Sequence, residues 1–286
     1  MTLRAAVELA LAALAHSGTP SEGMSRAMLV GQAVLKSGNG EGWAEDDPQL
    51  PRIEQRATVG LLALWSGLMA DYLSTLGLAD VGKAMKAEVP SFAFNAARHL
   101  SELLRLEELF VQAAGSDRGP LVRAAFAAFV RGLENAATEL DVDAIIDDAR
   151  RTYRAQIEAR GLQMVRTVTE RVLRDDIIHR LTSGEYDGQN PVDVARKLRQ
   201  RFGSGQYDWL RLARSETAMA QADGKLVQYR DAGITHVDYL TAQDGRVSRI
   251  CRDLAAAGPY LIANAPVPVR DSHPNCRCSL VAADID

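Results

Sequence analysis

The first 250 residues contain no cysteine, and the whole chain has only three, Cys251, Cys276 and Cys278. That count excludes a small disulfide-stapled scaffold. Aromatic residues make up 6% of the chain. Ala, Leu, Val and Ile must therefore build the core, which favours closely packed helices over a large sheet. No uncharged apolar run is long. The longest, Ala57 to Ala70, stops at Asp71, short of the roughly 18–20 residues a bilayer requires, so no transmembrane segment and no membrane partner are expected. Charge of one sign is also missing: Lys plus Arg is 33, Asp plus Glu is 37, and the formal net charge is −4. Nothing global marks a nucleic-acid binder. There is no His-Glu-x-x-His run and no glycine-rich phosphate loop, which removes the commonest signatures of zinc hydrolysis and nucleotide binding. What remains is 286 residues, 47% hydrophobic and 24% charged, ordinary values for a globular protein of one large or two modest domains.

Periodicity makes most of the chain helical. Leu3, Val7, Leu11 and Leu14 share a helical face; Glu8 interrupts the apolar stretch, so this segment reads as a helix of the mature protein and not as a secretory signal. Residues 38–51 are rich in Gly, acids and Pro and read as a loop or linker. Leu61, Trp65, Leu68, Tyr72 and Leu76 follow steps of three and four, and Gly77 can stop that helix. Pro90 and Pro120 can each open a helix, the second with Val122, Phe126, Phe129 and Leu133 on one face. Asp141 is expected to N-cap the next helix, through Ile145, Ala149, Tyr153 and Ile157. A further helix is expected over about Leu162–Leu181. Asn190-Pro191 should cap a short one ended by Gly203-Ser204-Gly205, and a long one should run from about Tyr207 to Asp231 before Gly233.

The texture changes after Gly233. Val237, Tyr239 and Thr241 alternate as in a strand, Asp244-Gly245 signals a tight turn, and residues 258–274 hold four prolines and no helical period. The expected fold is mainly α: a helical region over residues 1–184 and a small α+β domain over 185–286 with a short hairpin and a Cys/His cluster. Residues 195–230 carry eight basic and three acidic side chains. That fits a solvated helix face, or contact with nucleic acid or an acidic partner.

The cysteines carry most of the chemical information. Two of them sit in His273-Pro274-Asn275-Cys276-Arg277-Cys278. Thiolates and an imidazole this close suit Zn²⁺, which takes four tetrahedral N or S ligands, and Cys251, His273, Cys276 and Cys278 make a Cys₃His set. Such an ion would be structural, pinning the proline-rich loop to the hairpin after Asp244. A disulfide from Cys251 to Cys276 or Cys278, or three packed reduced thiols, fits the same spacing. A Cys251–His273 thiol–imidazole pair has no third orienting group in the sequence, and Ser215-Glu216 lies mid-helix. His16, His99, His179 and His236 read as surface or core fillers. No catalytic residue is expected.

Residues 185–281 resemble the phage Mu F-like minor head (head morphogenesis) proteins of tailed bacteriophages and prophages. The matches fall in order: Leu212-Ala213-Arg214-Ser215-Glu216-Thr217-Ala218 against that family's "ARTE" helix, the small residues Ala220, Ala222 and Gly224, the strand Tyr239-Leu240-Thr241, the Asp-x-Arg of Asp244 and Arg246, then Cys251 and the His273–Cys278 signature. Many relatives have a second cysteine three positions before Cys251, where this chain has Ser248; either His273 completes a metal set or no metal binds. The resemblance implies a virion component of few copies near the portal vertex, assembled in the bacterial host cytoplasm and acting in head assembly and DNA packaging or delivery. Its implied partners are the portal protein, other head proteins and packaged DNA. Arg214, Glu216, Asp244 and Arg246 would be structural, with a pair tying the long helix to the hairpin. The competing readings are a zinc-dependent hydrolase or nuclease, a toxin-like enzyme, and a zinc-knuckle DNA-binding module.

Overall fold

A computed structural model describes residues 47–78, 99–186, 189 and 191–283. The expected helix over Leu3–Leu14, His16, the start of the 38–51 linker, Pro90 and Asn190 lie outside them. The described residues form two compact units, each discontinuous in sequence. One gathers residues of Val59–Gly119 and Leu162–Trp209; the other gathers residues up to Thr58, Pro120–Gly161 and Leu210–Asp286.

The first helix, α1 (Gln49–Thr75), starts earlier than expected. Residues 49–51, read above as loop, are already helical because Asp47 caps them: its carboxylate accepts from Gln49 N at 2.8 Å and its carbonyl from Leu50 N at 3.3 Å. Pro48 suits that first turn, where no N–H is needed. Burial works against the Asp47 charge, but Arg131, Asn135 and the Gln49 N–H together hold its carboxyl below the usual range. Gly77 ends α1 in a left-handed conformation (φ 69°), with Leu78 N bonded to Leu73 O at 2.7 Å.

In the first unit, α1 packs its Trp65 among Phe110 of α2 (Leu100–Gly115), Phe202 and Trp209, with ring centroids 5.0–5.6 Å away. Trp65 Nε1 donates to Phe202 O at 2.7 Å. By length and composition α1 could cross a membrane, but half of its apolar window is buried inside the protein.

Two expected helix breaks are absent. The chain from α4 (Ile146–Thr169) continues through a π-helical stretch (Glu170–Ile178) and a last turn (His179–Thr182). Likewise α5 (Pro191–Asp231) is one helix of 41 residues. Gly203-Ser204-Gly205 does not end it, because Gly205 serves packing: a Cβ there would sit 2.9 Å from the Trp65 ring and 3.0 Å from Val172.

The second unit is built on the crossing of α3 (Pro120–Leu140) with α5. A Cβ on Gly132 would lie 2.1 Å from Gln221 O, and one on Gly224 would lie 2.1 Å from Phe129 O. The helices therefore touch backbone to backbone, each through its own glycine. Asp141 does not N-cap the following helix. It adopts φ 54° just beyond α3, with Val142 N bonded to Ala137 O at 3.0 Å, and so closes α3 in the place Gly usually takes. Gly233 closes α5 by the same bonding, Ile234 N to Tyr229 O at 2.9 Å.

Beyond α5 lies a three-stranded antiparallel sheet in the order β2-β1-β3. Strand β1 (His236–Leu240) buries Val237 and Tyr239. The Asp244-Gly245 turn leads into α6 (Arg249–Ala257), not directly into a second strand. The antiparallel partner β2 (Tyr260–Leu261) arrives only after that helix, and β3 (Ser279–Ala282) follows the cysteine loop. The outward edge of β3 is closed by side chains: Lys225 Nζ donates to Leu280 O at 2.8 Å, and Ala282 N donates to Glu139 Oε1 at 2.8 Å. Edge groups so occupied are closed to another strand.

The glycine crossing carries a direct test. Gly224→Ala forces backbone against backbone and should destabilise the protein by about 3 kcal/mol in urea unfolding. Gly67→Ala, within α1 and with nothing inside 4 Å of the added methyl, should gain about 0.5–1 kcal/mol.

Candidate metal centre

The cysteine site is assembled from α6, β1 and the loop before β3. Ser248 N-caps α6, its hydroxyl accepting from Cys251 N at 3.2 Å. Ser248 thus sets the start of the helix that carries Cys251. Cys251 is 1% exposed, Cys276 1% and Cys278 3%. Their sulfurs lie within 4.8 Å of one another, with Cys251 Sγ 3.7 Å from Cys276 Sγ. Three buried thiols this close can hold a metal ion. Tyr239, facing inward from β1, puts its hydroxyl 3.5 Å from Cys276 Sγ and 3.8 Å from Cys251 Sγ.

His273 reaches Cys251 but is not one of the residues whose donor atoms all lie within 4.8 Å of one another, so the expected set of four is brought together only as three. Its Nε2 is 3.2 Å from Cys251 Sγ, and its Nδ1 is 2.9 Å from Pro274 O. A carbonyl can only accept, so Nδ1 carries the proton and Nε2 is left as the acceptor or ligand atom. Metal-binding imidazoles are commonly oriented in this way.

Two fixings hold the loop. Asn275 takes a left-handed conformation (φ 67°), which Asn tolerates better than most residues, and its N–H donates to Ser215 Oγ at 2.8 Å. Arg277 is 8% exposed and grips Asp244 with two bonds, at 2.7 and 3.1 Å. Asp244 also accepts from Arg246 N at 3.0 Å. Arg277 and then this N–H hold the Asp244 carboxyl below its usual range. Over the thiols lies a cleft of about 190 Å³, with Arg246, Ser248 and Pro274 on its wall.

The thiols are electrostatically unlike. The Cys278 thiol donates to Cys276, which pulls Cys276 well below an ordinary thiol despite its burial, with Ser272, the Cys278 N–H and Tyr239 adding to the effect. Cys278, as the donor and buried, is pushed up. Burial, then the charge of Cys276, raises the Tyr239 phenol.

Arg214 and Glu216 sit away from the thiols on ion pairs of their own. Arg214 bonds Glu54 of α1 at 2.9 Å, and burial still pushes the Glu54 carboxyl up. Glu216 takes Arg160 of α4 at 3.1 Å, while the same guanidinium reaches Asp223 at 2.7 Å. Burial dominates for Glu216 and raises its carboxyl. Ser215, a residue without evident chemistry in the sequence, ties α5 to the cysteine loop through Asn275, and Asp223 of α5 ties it to the same loop through Arg270 at 3.1 Å. The Asp-x-Arg motif works similarly: Asp244 pairs with Arg277, and Arg246 contributes its backbone N–H and a wall of the cleft. Of the eight basic residues in 195–230, Lys225 is buried, Arg214 is paired with Glu54, and Arg196 and Arg201 face Asp193 and Asp176. Much of that local charge is answered within the protein.

No family model matches the chain, and no match is found among curated proteins or solved structures.

The support beneath β3 sets a pH dependence. Lys225 is 1% exposed, with Glu139 Oε2 3.8 Å from its Nζ, and burial brings its pKa down to about 7. An unfolded lysine titrates near 10.4. Between these values the unfolded chain binds the extra proton, so unfolding free energy rises as pH rises from about 7 to about 10. Urea midpoints at pH 7, 8 and 9 should climb in the wild type. In Lys225→Met that part of the slope should vanish.

Proposed function

We propose that the chain is a structural minor head protein of a tailed bacteriophage or prophage, associated with the portal and acting in head assembly and DNA packaging or delivery. The observation that carries this reading is convergence. The residues behind the family resemblance are spread from Leu212 to Cys278, yet several work together: Ser215 holds Asn275, Asp244 holds Arg277, and the three cysteines lie together. In this reading residues 1–184 form the portal-facing helical region and 185–286 the minor head domain.

The metal in this reading is one structural zinc, held by Cys251, Cys276, Cys278 and His273. The donor set favours it: soft thiolates, with an imidazole whose far nitrogen is already oriented by Pro274 O. Bound zinc would cross-link α6 to the loop before β3. Four protein ligands leave no position for a water, so the ion would stabilise and would not act on a substrate. The domain's few strands and short helix explain the need for such a staple.

Two measurements test this. Mass spectrometry of DNA-filled particles should find the chain in a fixed low ratio to the portal protein. Its absence from particles at every stage of assembly would defeat the virion assignment. In the purified chain, Cys278→Ser should drop zinc content to background and lower the unfolding midpoint of the C-terminal sheet. A fully stable, zinc-free variant would mean that the thiols only pack.

A further inference from the structure

The thiol centre has a second capacity that follows from where its sulfurs stand. We propose that Cys251 and Cys276 form a redox couple, oxidised by hydroperoxides to a disulfide and restored by thiols. This rests on the zinc reading only for one consequence, the release of the ion.

Three observations support the pairing. Cys251 Sγ and Cys276 Sγ are 3.7 Å apart, so a small approach joins them. The cleft of about 190 Å³ is lined by both residues, and it can admit a molecule the size of a small hydroperoxide. His273 Nε2, 3.2 Å from Cys251 Sγ, is placed to take and return the proton that the exchange moves. A bridge from Cys276 to Cys278 would instead close a very short ring and strain its geometry.

The chemistry balances. The Cys276 sulfur, its proton lost to solvent, attacks the peroxide oxygen. An S–O bond forms, the O–O bond breaks, and the departing oxygen takes a proton from solvent. In the metal-free centre, Cys251 passes its proton to His273 Nε2 and attacks the sulfenic sulfur. The S–S bond forms, the S–O bond breaks, and hydroxide leaves as water with the proton from His273. Two thiols give up two electrons, and hydrogen peroxide becomes two waters. Reduction by a dithiol reverses the change through thiol–disulfide exchange. The bridged form keeps only Cys278 and His273 as metal ligands, too few for tetrahedral zinc. Zinc-bound and disulfide-bound forms would thus be two states of one centre, selected by the surroundings, reducing in a cytoplasm and oxidising outside a cell.

The test uses the full chain, reduced and loaded with zinc, and graded hydrogen peroxide. Peptide mapping without reductant follows the bridge, and a chromogenic chelator follows the metal. The expected result is a Cys251–Cys276 linkage that appears together with zinc, about one ion for each bridge, and that dithiothreitol reverses. Cys278→Ser should still form the bridge, and Cys276→Ser should form no bridge to Cys251. Zinc retained with all thiols intact, a Cys276–Cys278 bridge, or sulfinic acids without any bridge would overturn the proposal. If the reduced chain takes up no zinc, the zinc reading fails by itself, and mapping of the metal-free chain still decides the couple.

Discussion

The second unit depends on one contact, the backbone-to-backbone crossing of α3 and α5 at Gly132 and Gly224. Only the lack of a Cβ on both sides lets the helices meet, since either methyl would stand 2.1 Å from a carbonyl oxygen. That closeness sets the reach of every side chain along α5. Lys225, one residue from the crossing, lies beside Glu139 of α3, and the two together occupy the outer edge of β3. Tyr229, one turn further on, donates to the same Glu139 at 2.6 Å. A wider helix pair would leave the edge of β3 open and the cysteine loop without its floor.

The interior of this unit is unusually polar for a helix-packed core. Glu216, Thr217, Gln221, Lys225 and Gln228 are all buried on α5. Each has a specific partner: Arg160 for Glu216, Ala213 O for Thr217, Ser279 for Gln221, Leu280 O for Lys225, and Asp143 O for Gln228. Buried polar groups add little net energy but forbid alternative packings, because a shifted register would strand them without partners. They hold short strands and a proline-rich loop in one arrangement. The three buried thiols, beside Tyr239 of β1, lie close enough together to hold a metal ion.

Much of this was legible in the residues. The 3.6-residue periodicity, the proline that opens α3, the glycines that close α1 and α5, and the alternation in β1 all matched the structure. The differences have two causes. Gly205 reads as punctuation in the sequence, but it marks close packing against Trp65. A glycine inside a helical pattern reads the same in sequence whether it breaks a helix or admits a neighbour. Asp141 erred in the opposite sense, capping the end of one helix where its composition suggested the start of the next. At the thiol centre the His-x-x-Cys-x-Cys spacing brought Cys276 and Cys278 forward, and the absence of any other cysteine pointed to Cys251 as their partner. Ser215 and Tyr239 were missed as site residues because each acts across the fold, and only the inward place of Tyr239 in β1 hinted at its role.

The central claim is that the three thiols and His273 form one metal-binding centre. X-ray absorption at the zinc edge, on the chain purified under reducing conditions, tests it most directly. The account predicts three sulfur neighbours near about 2.3 Å and one nitrogen near about 2.0 Å. A shell dominated by oxygen, or a chain that carries no zinc while its three thiols are reduced, would contradict it.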